Sequence, residues 1–598
     1  MNIQDAIHNI QESTATLTFL ENEEKTVSLT YAQLYEEALF LLGALQDKGL
    51  DNIELKNSAV VALRFGKLRG LVTALWACWL GSLVPVFSPM PNELLLTDDD
   101  FLPSLPENKT IHYKTLTFAR RGEPRPMRDE DRALLQPTSG STAAPKRVVL
   151  TGANLWEGAL ASSIVVRQGV RERFLSWLPL SHIFGLVGCH LVPLFNGLDQ
   201  FLIDTNLFLK DPSIWLRTCG EWGCTVTGSS QFGLKLALRA VRESNAPLSL
   251  GLETINVCFC GGETLKASVL FDFEREMSRF GWRKGVLCPA YGLSEATMGV
   301  SCKSPGEGIR VDYIDPSSVA IGERLRFRSD EDVAPSLERV SVGVLDACNE
   351  AKIRASCGGD LPQEHLGVVH LKGSNICAGY EPTAAPENPD SNGWLNTGDL
   401  GYFRDKQLTI FARLKEMICH NGLNYPLPDL EASAAKAGGM TDFALVETHD
   451  GMLLFGLEED ESALYRGGHA VADIWNIPVA GVVVLSQLPR TAKGSIDRLA
   501  LAVAWEADLY KKRSSIASFS SGFSEREIAM ADIWSKILRV PSSTLSPDSS
   551  FMETGGDSLA LFDLAAAIEQ KWGVYAETEE LREARTLKKV VSLVDRLL

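Results

Sequence analysis

"TSGSTAAPKRVV" occupies Thr138 to Val149. Small hydroxyl residues and one glycine fill its first half, Lys146 stands near its end, and two β-branched residues follow. Such a loop presents backbone N–H groups and hydroxyls toward one point, which suits phosphate oxygens, and the lysine adds a positive charge. Alone it reads equally as an ordinary polar turn, so its neighbourhood decides its meaning.

Outward from the loop, helical patterns alternate with short β-rich runs from about residue 28 to 410. "SAVVALRF", "QFLID", "TINVCFCGG" and "GVVHLKG" read as strands, and "TYAQLYEEALFLLGALQDKGL" reads as an amphipathic helix ending at Gly49. This alternation predicts parallel α/β layers. The longest apolar run, "GLVTALWACWLGSLVPVF" from Gly70 to Phe87, approaches membrane-spanning length. Gly81, Ser82 and Pro85 interrupt it and "LVPVF" is strand-like, so it reads as a buried helix followed by a buried strand.

From Leu414 to about Tyr510 the elements shorten into a small α+β segment. Lys511 to Ser524, "KKRSSIASFSSGFS", is serine-rich, lacks periodicity and reads as a linker. Beyond it, "EREIAMADIWSKILRV", "DSLALFDLAAAIEQKWG" and "TLKKVVSLVDRLL" read as three short helices of a separate bundle. The expected organisation is a large subdomain over 1–412, a small one over 413–510, a linker over 511–523 and a helical domain over 524–598.

The chain of 598 residues is long enough for two to four domains. With 45% hydrophobic and 22% charged residues it has a globular composition. Lys and Arg number 58 against 76 Asp and Glu, a net charge of −18, which argues against nucleic acid or an anionic membrane as partner. Twelve scattered cysteines without a CxxC read as reduced thiols. "MNIQDAIHNIQESTATLTF" has neither the basic start nor the apolar centre of a signal peptide, so a cytoplasmic location is expected.

In the helical domain stands "TGGDSLALFDLAAAI", Thr554 to Ile568. Ser558 or Asp557 is on the simplest reading a helix cap. Gly555 and Gly556, however, strip side chains from around the Ser558 hydroxyl, and the unit sits behind a flexible linker. "FMETGGDSL" followed by "LAAAIEQKWGV" resembles an acyl or peptidyl carrier domain. The resemblance implies that Ser558 carries 4′-phosphopantetheine, attached by a phosphopantetheinyl transferase.

Four more stretches follow the phosphate loop in order: "AYGLSEAT" (Ala290 to Thr297), "NTGDLGYF" (Asn396 to Phe403), "FARLKEMICHNGLNYPLPDLE" (Phe411 to Glu431) and "LPRTAKGSIDRLAL" (Leu488 to Leu501). Each reads singly as a loop, with Glu295 and Asp399 as exposed loop carboxylates. As an ordered set over about residues 25–505 they resemble the adenylate-forming superfamily, which joins a carboxylate to ATP as an acyl-adenylate and then transfers the acyl group to a thiol. The first step needs charge neutralisation more than covalent help. The resemblance implies that Thr138, Ser139, Gly140, Ser141, Thr142 and Lys146 surround the phosphates, that Glu295 holds Mg²⁺ together with Thr142, and that Tyr291 stacks near the adenine. It implies that Asp399 receives the ribose hydroxyls with help from Arg413, and that Lys415 is the hinge of the small subdomain.

Amino-acid-activating members place an aspartate in the acid pocket to pair with the substrate's ammonium. In "WLPLSHIFGLVGCHLVPL", Trp177 to Leu194, that position aligns with His182. An imidazole supplies no counter-ion, and an unpaired buried ammonium is costly, so the expected acid lacks an α-amino group. The alternative for His182 is a satisfied core histidine. This stretch, the long interval after "YGLSEATMGVS" to about Gly343, and "HNGLNYPLPDLE" resemble fatty acyl-AMP ligases, although Ile183 stands where these usually have aspartate. A carrier in the same chain raises the arm's effective concentration into the millimolar range. Downstream synthase or condensation proteins are the implied partners.

The chain departs from the family in two places. Ala143 and Arg147 stand where the phosphate loop usually has glycine. In "RTAKGSIDR" the family's catalytic lysine position holds Ser495, and the nearest lysine is Lys493, which shares a face with that position only in extended backbone. Two other readings therefore stay open: an amino-acid-activating module, and a weakly active adenylation scaffold whose carrier is loaded in trans.

Overall fold

The computed structural model describes the chain outside residues 23–24, 51–58, 89, 91–92, 99–109, 138–145, 164–171, 245–248, 330–335, 357, 383–388, 421–422, 441, 458–460, 476, 478, 491–495, 508, 511–524, 539, 541–544, 553, 555 and 557–559. Thr138, Ser139, Gly140, Ser141, Thr142, Lys493 and Ser558 thus lie outside the described residues. Two compact units emerge, Met1–Lys415 and Glu416–Leu598.

The first unit is layered α/β. Strands Thr16–Leu20, Asp199–Ile203, Arg173–Ser176, Val226–Ser229, Val257–Cys260 and Leu287–Leu293 run parallel side by side in one sheet. Antiparallel strands close it: Thr26–Thr30 at one edge, Met298–Cys302 and Val344–Leu345 at the other. A second sheet carries parallel strands Arg132–Pro137, Val84–Val86, Val60–Arg64, Leu94–Thr97 and Thr110–His112, with Arg147–Thr151 and Gly379–Glu381 added antiparallel. A third, antiparallel sheet joins Asn349–Arg354, Gly367–Gly373, Leu395–Arg404 and Gln407–Arg413.

Between the layers, helix Tyr31–Leu45 starts at a capping box of Thr30 and Gln33. It packs on helix Leu68–Leu80, and the Tyr31 ring stacks on Trp76 with centroids 6.2 Å apart. Every residue from Val72 to Leu80 is buried, which is why the run shows no polar face. Strand Val84–Val86 follows it, as the interrupted apolar stretch predicts. No helix among the described residues is long and apolar enough to cross a membrane. Beneath these helices the His190 ring is fully buried, its Nε2 accepting from Trp76 at 3.4 Å and its Nδ1 2.9 Å from the Gln200 amide oxygen. Of the ten cysteines described as free thiols, all but Cys302 and Cys348 are buried.

In residues 416–598, strands Phe443–Thr448, Gly451–Leu457 and Val479–Leu485 form a sheet that carries helices Leu427–Gly438, Glu461–Trp475 and Arg498–Glu506. The carboxy-terminal residues gather a core of their own around Trp534, Phe551, Leu564, Ile568 and Val590. Its helices are Glu525–Leu538, Ala560–Trp572, Thr578–Ala584 and Leu587–Leu597. The third of these is absent from the three-helix expectation, because seven mostly charged residues with one buried leucine, Leu581, carry almost no helical period. Gly556 is required where it stands, since a Cβ there would lie 2.5 Å from the Phe551 ring.

Candidate active site

Parallel sheets bind ligands beyond the carboxyl ends of their strands. Here the ends of Val257–Cys260 and Leu287–Leu293 open onto two adjoining cavities. The smaller, about 90 Å³, is lined by Gly262, Tyr291, Val342, Asp399, Ala412 and Arg413. The larger, about 260 Å³ and mostly apolar, is lined in part by His182, Phe184, Phe259, Met298, Lys303 and Asp346.

Asp399 sits on strand Leu395–Arg404 opposite Arg413 on strand Gln407–Arg413. Its side chain is only 9% exposed, receives the Tyr291 hydroxyl at 2.6 Å, and lies 3.4 Å from the Arg413 Nε. Burial, and then the Asp399 charge, hold the Tyr291 phenol far above its usual pKa, so it remains a donor. The loop-carboxylate reading of Asp399 is therefore wrong: the residue lies in a strand and the sheet desolvates it.

Glu295 lies in a single 3₁₀ turn, Ser294–Ala296, directly after strand Leu287–Leu293. Burial pushes its carboxyl pKa up, opposed by a backbone hydrogen bond, the Tyr380 hydroxyl and the Arg413 charge. The Tyr380 hydroxyl donates to Oε1 at 3.1 Å, and the Cys377 amide donates to the Glu295 carbonyl at 2.8 Å. Thr297 and Met298 follow with φ of 48° and 101°, conformations that side chains rarely adopt. The buried Thr297 hydroxyl holds this turn by donating to the Asn375 carbonyl at 2.6 Å. Of the two carboxylates of the motif set, Asp399 is thus buried and Glu295 half-buried, each held by a tyrosine hydroxyl, an arrangement suited to holding a nucleotide.

The sequence pattern of the AMP-binding enzymes matches residues 87–381, and that of the phosphopantetheine attachment site matches residues 529–594. Residues 87–381 belong to the AMP-binding enzymes. The two patterns together mark an adenylate-forming acid–thiol ligase with a carrier domain, a type that uses ATP, Mg²⁺ and 4′-phosphopantetheine. It is 28% identical over 319 residues to a medium-chain-fatty-acid–[acyl-carrier-protein] ligase of Teredinibacter turnerae, covering 51% of this chain and about half, 49%, of that one. Among solved structures, McyG A-PCP complexed with phenylalanyl-adenylate superposes with a TM-score of 0.74 at 21% identity, over 99% of this chain and 98% of the other. A fatty acyl-adenylate ligase from the E. coli and L. pneumophila study gives 0.75 at 24% identity, over 85% and 98%. At these identities the structural likeness speaks for the fold.

The residues at the smaller cavity fit such ligands. A buried carboxylate at Asp399 facing the smaller cavity suits ribose hydroxyls. No cluster of three or more metal-binding side chains occurs among the described residues. Mg²⁺ binds through one or two carboxylates together with phosphates and water, and Glu295 offers one such carboxylate.

The structure brings together Tyr291, Asp399 and Arg413, and it sets Glu295 within electrostatic reach of both Asp399 and Arg413. His182 is exposed and lines the larger cavity, which overturns the core-histidine alternative. Its Nδ1 accepts from the Phe184 amide at 3.2 Å, so the neutral ring carries its proton on Nε2. Lys146 immediately precedes strand Arg147–Thr151, and Lys415 is the last residue of the first unit. Sequence reasoning missed Tyr380, although "AGYE" adjoins the motif set. It also missed Gln136, two residues before the phosphate loop, whose amide donates to the Ser181 carbonyl at 2.9 Å and so ties that strand to the turn bearing His182.

Proposed function

We propose that the chain activates a carboxylic acid without an α-amino group, an acyl chain, and loads it onto its own carrier domain for polyketide or nonribosomal-peptide assembly. The observation that supports this most directly is the polar inventory of the larger cavity. His182 stands at the expected counter-ion position. The one carboxylate among the described lining residues, Asp346, already accepts from the Cys348 amide at 2.8 Å and from the Asn349 amide group at 3.0 and 2.9 Å. Burial pushes its pKa up as well, which makes it a poor partner for an ammonium ion.

In this reading Asp399 holds the ribose, with Tyr291 and Arg413 fixing the carboxylate's orientation. Glu295 would hold Mg²⁺, which would supply charge neutralisation for the phosphates. The acid's carboxylate oxygen bonds to the α-phosphorus as pyrophosphate leaves; Lys146 and Lys493 are the cations assigned to that charge. Ser558 anchors the thiol arm that then takes the acyl group with release of AMP. A phosphopantetheinyl transferase and downstream synthase or condensation proteins complete the partner set. The Ser495 departure favours a second reading, in which adenylation is weak and the carrier is loaded in trans.

Pyrophosphate exchange with panels of fatty acids, aryl acids and amino acids tests the proposal, together with intact-protein mass spectrometry of the pantetheinylated chain. Exchange and acyl loading with non-amino acids are expected. Preference for one amino acid would overturn the substrate class, and neither exchange nor loading by the isolated chain, with loading on adding a separate acid-activating enzyme, would favour the second reading.

A further inference from the structure

The phosphate loop of this superfamily usually ends in glycine, but this chain has Arg147, whose side chain is 2% exposed. A buried guanidinium needs several partners to offset its desolvation. Both terminal nitrogens donate to the Glu93 carboxylate, Nη2 to Oε2 at 2.8 Å, and Nη2 also reaches the Ser88 carbonyl. Glu93 is itself placed by the Met90 amide, which donates to Oε2 at 2.8 Å. The segment after strand Val84–Val86 is thereby drawn onto the first residue of strand Arg147–Thr151.

The backbone of Arg147 is held on its other sides too. It pairs with Pro137 across the hairpin whose connection is residues 138–146, and with Glu381 of the added edge strand. A glycine at this site would leave Glu93 without its main cation and release one side of the hairpin's foot. Since the guanidinium is buried against Glu93, it does not act as one more phosphate-facing cation.

We propose that Arg147 and Glu93 form a positioning pair that fixes the foot of the phosphate hairpin and with it Lys146, the adjacent residue. This rests on the reading of Lys146 as a phosphate-binding lysine.

The test uses the full chain with Arg147→Lys, Glu93→Gln, and the double variant Arg147→Met/Glu93→Leu. Four quantities are measured: the thermal unfolding midpoint, ATP affinity by calorimetry, pyrophosphate exchange, and acyl transfer from supplied acyl-adenylate. The single variants should weaken ATP binding and raise KM for ATP by about tenfold to a hundredfold, the scale of a misplacement near 1 Å. Transfer from supplied acyl-adenylate should be unchanged, because it needs no pyrophosphate contacts. The double variant removes both charges together, so it should regain the wild-type midpoint while keeping the ATP defect. If a single variant fails to fold, the double variant decides. Wild-type ATP affinity in the double variant would overturn the proposal, as would wild-type affinity in Lys146→Ala. A wild-type chain that binds no ATP would overturn the proposed function instead.

Discussion

The Tyr291 hydroxyl donates to the Asp399 carboxylate at 2.6 Å, joining strands that belong to two different sheets. Asp399→Ala should therefore raise KM for ATP by about tenfold to a hundredfold, the scale of losing hydrogen bonds to a charged group. Tyr291→Phe should act more weakly, because Arg413 still faces the carboxylate. Steady-state exchange kinetics at varied ATP check both; equal KM in Asp399→Ala and wild type would remove Asp399 from the nucleotide site.

Ser558→Ala should abolish the phosphopantetheine mass gain while leaving acid-dependent pyrophosphate exchange intact. Intact-protein mass spectrometry after transferase treatment reads the first, and the exchange assay reads the second. Modification of the mutant would refute the attachment assignment.

Lys493→Ala should slow adenylation about 10²-fold or more, the usual loss when one group that stabilises developing charge is removed. Transfer from supplied acyl-adenylate should change far less. Unaltered exchange in Lys493→Ala, with faster exchange in Ser495→Lys, would show that Lys493 has not taken over the missing role.

Burial lowers the His190 pKa to about 4, opposed by its bond to Gln200. The unfolded chain, with an ordinary histidine near 6.5, binds this proton first as pH falls, so stability is present above pH 6.5 and lost as pH drops toward 4. The group alone accounts for up to about 3 kcal/mol, at 1.36 kcal/mol per pKa unit. Denaturant unfolding of the large unit at pH 7 and pH 5 should show the loss, and His190→Gln should reduce it. An identical pH slope in that variant would contradict the prediction.

Legibility followed chemical type and sequence distance. Helix Leu68–Leu80 with strand Val84–Val86, and the longer carrier helices, are evident because many residues carry each period. Motif order marks Tyr291, Glu295, Asp399 and Arg413, but the burial of Asp399 depends on a sheet whose strands come from residues 349–413. The bond from Tyr380 to Glu295 spans 85 positions, and the Arg147–Glu93 pair spans 54. No local pattern signals such pairs, since a tyrosine or an arginine suits a surface strand equally well.

The buried cysteines have a practical consequence for labelling. Burial holds the thiols of Cys78, Cys189 and Cys377 up to about 12, and those of Cys219, Cys258 and Cys260 far above their ordinary range. Thiolate is the species that alkylates, so these side chains are slow targets at neutral pH. A pantetheine thiol on a solvated arm would react with a maleimide ahead of these six, and an acylated arm would not react. Quenching with such a reagent would therefore let a chain whose other cysteines have been replaced report the fraction of its arm left unloaded, with no radiolabel.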